Sequence, residues 1–120
     1  MSGGVVYDAD VLRQQVSALE KSVAVLEAGL EGERKKREEH LSHLAVAEAA
    51  RKLGSTEETF DPDALRRALV SIDNNIASIG GVLEMTRKKL TERSADLAVA
   101  NSILEAHDRA RGRKKDGLPE

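Results

Sequence analysis

LRRALVSIDNNIASIGGVLEMTRKKLTERSADLAVANSIL, residues 65–104, is the stretch that decides the fold. Within it Leu65, Leu69, Ile72, Ile76, Ile79, Leu83, Leu90, Leu97 and Leu104 follow alternating steps of four and three, with Thr86, Arg93 and Ala100 at the weaker positions. Such steps return to one side of an α-helix, so a single unbroken heptad stripe runs the length of the segment. The signal for its start is complete. Asp61 is an N-cap, Pro62 suits the first helical position, and Phe60 is placed to pack on Leu65 as a hydrophobic staple. A helix is expected over residues 62–111, ending near Arg111 and Gly112, with residues 112–120 as a flexible basic tail.

Working outward, the first half carries a second heptad stripe: Leu12, Leu19 and Leu26 at d, with Val16, Val23 and Leu30 at a. Asp8 or Asp10 caps its start, leaving residues 1–9 as a flexible N-terminal segment. The stripe fails through the charged run from Glu31 to Glu39 and resumes with Leu41, Leu44, Val46, Ala47, Ala50 and Leu53. Leu30 to Leu41 is one heptad plus four residues, so a stutter in a continuous helix keeps the stripe roughly aligned. Gly29 and Gly32 each cost about 1 kcal/mol in a helix interior, and a break there is the rival reading. The expectation is one continuous helix over residues 10–53, a left-handed cap at Gly54, and a polar turn over 54–61.

Two helices of about 65–75 Å joined by a short link imply antiparallel neighbours. Folding at residues 57 and 58 sets Leu12 level with Leu104, Leu19 with Leu97, Leu26 with Leu90, Leu44 with Ile72, and Ala50 with Leu65. This leaves the charged run Glu33–His40 opposite Ile76, Ile79 and Leu83. Burying an Ile or Leu is worth roughly 1.5–3 kcal/mol, so a second copy is expected to cover Leu69, Ile72, Ile76, Ile79 and Leu83, with Gly80 permitting close approach. The fold class predicted is all-α: residues 10–111 as a long antiparallel coiled-coil hairpin, assembling into a four-helix homodimer or larger bundle.

Composition narrows the functional classes. One Phe, one Tyr and no Trp or Cys, with a third of the residues charged, suit a narrow apolar seam better than a thick core. The lack of cysteine excludes disulfides, thiolate metal sites and a Cys nucleophile. Neither a signal-like start nor a membrane-length apolar run is present, which predicts a cytoplasmic protein with no membrane partner. A net charge of -2 argues against general coating of nucleic acid.

Glu39, His40 and His43 share a helix face, but the spacing is not that of carboxylate-bridged metal bundles, and neither a metal nor a cofactor is expected. His107 fits a helix end, where a cation complements the dipole. Arg34, Lys35, Lys36 and Arg37 are flanked by glutamates that neutralise them, whereas Arg109, Arg111, Arg113, Lys114 and Lys115 form a less neutralised candidate for partner binding. Catalysis is not expected, since no base-activated nucleophile or phosphate-binding loop stands out. The predicted function is a non-enzymatic homo-oligomeric hairpin, an adaptor, assembly factor or inhibitor that binds itself and another protein. The alternatives are a nucleic-acid-associated regulator using the basic tail and a bundle that binds a small molecule.

Overall fold

The computed structural model describes residues 8–54 and 61–116, with side chains as far as Gly112. Two long helices pack as a hairpin: α1, Ala9–Lys52, and α2, Pro62–Asp116. Asp8 caps α1, its Oδ1 accepting from the backbone N–H groups of Asp10 at 3.0 Å and Val11 at 3.3 Å. Asp10 instead pairs with Arg13. Asp61 caps α2 in the same way, accepting from the N–H of Asp63 at 3.0 Å, and Pro62 behind it is almost wholly buried. Gly54 has φ of 71°, and its N–H donates to the carbonyl of Arg51 at 3.0 Å, so the left-handed cap forms where a β-carbon would be strained. The staple by Phe60, and most of the turn, lie outside the described residues.

α1 is continuous through Gly29 and Gly32, as expected. The cost of two glycines is spread over a helix rich in Glu, Lys, Arg, Leu and Ala. The stutter is absent, because the inward positions after Leu30 are Glu33, His40, Leu44 and Ala47, with Arg37 reaching across to α2. The heptad therefore runs straight through the charged run. Leu41 and Val46, read as part of the resuming stripe, point away from it and are exposed. α2 also continues past Arg111 and Gly112 to Asp116, since one glycine near a basic helix end costs too little to stop it.

The chain divides into two compact units, one from Met1–Ser22 with Thr86–Glu120 and the other from Val23–Met85. In the first, Ala9, Leu12 and Ala100 form a buried cluster on which Leu97 packs, and Arg13 Nη2 donates to Asn101 Oδ1 at 3.4 Å. Leu12 is thus level with Leu97, not Leu104. Residues of α2 beyond Asn101 have no described α1 residue level with them, and Ile103 and Leu104 are exposed. In the second unit Arg37 Nε donates to Asp73 Oδ1 and Arg66 Nη2 to Glu48 Oε1, each at 2.8 Å, while a β-carbon built on Gly29 would lie 3.9 Å from Ile79 Cδ1. The heptad then makes Leu26 level with Leu83, Leu30 with Ile79, and Leu44 with Leu65.

Both units are therefore one heptad out of step with the register expected from folding at residues 57 and 58. The slip removes the reason given for a second copy at the α2 seam. Leu83 is 3 % exposed and Ile72 6 %, both covered by α1, while Leu69, Ile76 and Ile79 are half-buried. No helix among the described residues is long and apolar enough to cross a membrane.

The register has a direct test in equilibrium urea unfolding followed by circular dichroism. Leu83→Ala should lower the unfolding free energy by about 2–4 kcal/mol, and Leu104→Ala by less than about 1 kcal/mol. Equal losses would show Leu104 to be as much a seam residue as Leu83.

Candidate interaction surface

A helix in a two-helix seam has two flanks. One holds the residues just after its d positions, the other the residues just before its a positions. Glu48 and Arg66 both follow d positions, and they pair, so these flanks of α1 and α2 lie on one side of the Val23–Met85 unit. The other two flanks therefore share the opposite side.

The two sides differ sharply in chemistry. The first carries Glu27, Arg34, Leu41, Glu48, Arg66, Asp73 and Gly80 on its flanks, with Glu31, Glu38, Val70 and Glu84 farther out. The second carries Val25, Gly29, Gly32, Val46 and Ala50 from α1, and Ala64, Ala68, Ser71, Asn75, Ser78, Val82 and Met85 from α2. Its only charged residues are Lys36 and Glu39, with His43 between them and Val46. On this side Val25 is 71 % exposed, Met85 63 %, Val46 55 % and Val82 51 %. Four large apolar side chains on one nearly uncharged side are the main anomaly of the surface, since scattered single ones are ordinary.

Nothing within the chain accounts for the glycines nearby. β-Carbons at Gly32, Gly80 and Gly81 would meet no atom within 4 Å, and one at Gly29 would make an ordinary contact. Alanine would fit all four within the hairpin and would favour the helix. Gly80, expected to allow close approach at the α2 ridge, lies on the charged side in open space.

The polar residues inside the seam are accommodated individually. Arg37 leans out to Asp73, and His40 Nδ1 donates to the Lys36 carbonyl at 2.7 Å, which places a proton on that nitrogen because a carbonyl only accepts. Glu33 is the least comfortable of the three. Its side chain is 15 % exposed, Oε1 meets Lys36 Nζ at 3.5 Å, and Oε2 is buried without a hydrogen-bond partner. His43 is half-buried and His107 exposed, and among the described residues no three of His, Asp and Glu come together as metal ligands. In the basic tail Arg109 pairs with Glu105 at 3.5 Å and Arg111 is exposed, while the side chains of Arg113, Lys114 and Lys115 lie outside those described.

The chain matches no family model, and neither curated proteins nor solved structures include a match to it. The uncharged side does not show in the a and d positions, which report only the seam. The signal for it was present, since Val11, Ala18, Val25, Gly32 and Val46 all occupy the position just before d, at multiples of seven.

Replacing the strained seam carboxylate tests the seam assignment. Glu33→Leu should raise the unfolding free energy by about 1–3 kcal/mol, measured by urea unfolding, because it removes a buried unpaired oxygen and adds apolar contact. A loss of stability would mean that Glu33 is anchoring the seam.

Proposed function

We propose that this chain is a non-enzymatic interaction protein: a homo-oligomeric helical hairpin that acts as an adaptor, assembly factor or inhibitor by binding protein. The observation that carries the reading is the exposed, nearly uncharged side bearing Val25, Val46, Val82 and Met85. Exposed apolar side chains are costly in water, and several on one nearly uncharged side of a folded protein favour a place where another macromolecule binds.

The seam supports the same reading. One side chain per helix in each layer makes a line of contacts and leaves little room to enclose a substrate. Among the described residues six apolar ones besides Pro62 are buried, three of them alanines, so the hairpin has a thin core and gains much from any partner that covers more surface.

Light scattering after size exclusion, from about 1 to 100 μM, tests this. The mass should be at least twice the 13.0 kDa of one chain at the upper end of the range. A mass of one chain throughout would overturn the homo-oligomeric reading.

A further inference from the structure

Taking the chain to be a self-associating interaction protein, we infer that the uncharged side of the Val23–Met85 unit is the self-association surface, and that its occupant is the same side of a second copy, packed antiparallel about a two-fold axis. The axis passes between Lys36 and Glu39 on α1 and between Ser71 and Asn75 on α2.

The case for a second copy is self-complementarity. A two-fold contact must satisfy the same patch against itself, residue i meeting j and j meeting i. The two charges on this side are opposite in sign and one helical turn apart, so a centre midway between them sets Lys36 of each copy against Glu39 of the other. That centre also sets Gly32 opposite His43, Gly29 opposite Val46, and Val25 opposite Ala50. On α1 every large apolar residue thus meets a small or apolar one.

α2 was not used to choose this centre, yet it agrees. Cross-chain pairs in this unit put residues 37 and 38 of α1 level with residues near 73 of α2. A two-fold at 73 sets Ser71 opposite Asn75, Ala68 opposite Ser78, and Ala64 opposite Val82. No charge faces a like charge on either helix, and the one apolar side chain set opposite a charge is Met85, which this centre places against Asp61 at the start of α2.

Size and glycine content fit as well. The patch is about 30–40 Å long by roughly 20 Å wide, on the order of 700 Å² per copy, within the range of stable protein–protein interfaces. Gly29 and Gly32 fill no role within the hairpin, but here they lie under Val46 and His43 of the other copy, where a missing β-carbon lets the helices approach. Lys36 is held in the single chain only by a long 3.5 Å contact to Glu33, and it is 62 % exposed, so it can turn to a second carboxylate.

The test is a charge swap read by sedimentation equilibrium, with circular dichroism to verify that each variant is helical. Lys36→Glu and Glu39→Lys should each weaken the dimer about tenfold or more, since each change occurs twice across the axis, and the double variant should recover to within about threefold of the parent. Val70→Glu, on the charged side and 62 % exposed in the parent, should leave association unchanged. The chain has no cysteine, which permits a second measurement independent of charge. Val25→Cys mixed with Ala50→Cys should form an intermolecular disulfide under mild oxidation, and Val25→Cys alone should not. A double variant as weak as the single ones, or equal crosslinking by Val25→Cys alone, overturns this arrangement while leaving self-association standing. A parent chain that is monomeric throughout overturns both this surface and the homo-oligomeric reading.

Discussion

The charge pair between Glu48 and Arg66, together with that between Arg37 and Asp73, is the constraint on which the rest of the Val23–Met85 unit depends. A heptad seam is degenerate, because sliding one helix by seven residues again brings a positions to d positions and apolar side chains to apolar ones. The flanking charges are not degenerate. Slid by one heptad, Glu48 would lie level with Asp73 and lose Arg66, exchanging an attraction for a repulsion. Exposed pairs contribute little to stability, about 0–1 kcal/mol each, yet choosing between two seams of similar apolar content requires no more than that. The apolar content reinforces the choice, since the slide would set Leu83 level with Glu33 and Ile79 level with Arg37.

These terms also separate what was legible in the sequence from what was not. Helix identity, the caps at Asp61 and Gly54, and the inward stripe of α2 follow from local chemistry: hydrogen bonds to free backbone groups and the 3.6-residue repeat. Register is a non-local property, and an apolar pattern alone leaves it open by multiples of seven. Folding the chain at the middle of the link chose the wrong multiple, because the link is long enough for α1 to run past the start of α2, leaving Leu53 86 % exposed. The charged run misled for a related reason. Glu33, Arg37 and His40 look like a gap in the seam by hydrophobicity alone, whereas a long polar side chain can sit at a seam position with its stem inside and its head outside or bonded. With the gap removed, neither a stutter nor a second copy over Ile72 and Leu83 is needed.

The candidate surface was hidden by the same habit of reading one stripe per helix. A heptad has seven positions, and an amphipathic helix that meets one partner needs only two or three of them apolar. In the Val23–Met85 helices most residues before d and before a, other than Lys36 and Glu39, are apolar, small or uncharged as well, which widens the non-polar arc to one side of the seam. A helix needing only its hairpin neighbour gains nothing from that, and loses helix propensity at Gly29 and Gly32. On the proposed reading, the widened arc serves a second neighbour outside the chain.

The two sides of the unit differ in what they contribute to the hairpin. The charged side sets how α1 meets α2, through pairs that are already satisfied within one chain, and its exposed Leu41 and Val70 stand among those charges. The uncharged side takes no part in that choice and remains open. Because self-pairing within a chain and pairing between chains draw on separate residues, a substitution on the uncharged side can alter association without disturbing the fold, and one on the charged side can shift register without removing the apolar patch. The thin core ties the two together. With Ile72 and Leu83 as the only large aliphatic side chains buried outright among the unit's described residues, covering Val25, Val46, Val82 and Met85 would roughly double the buried apolar set, and on the proposed reading the stability of each hairpin would rise with its own concentration.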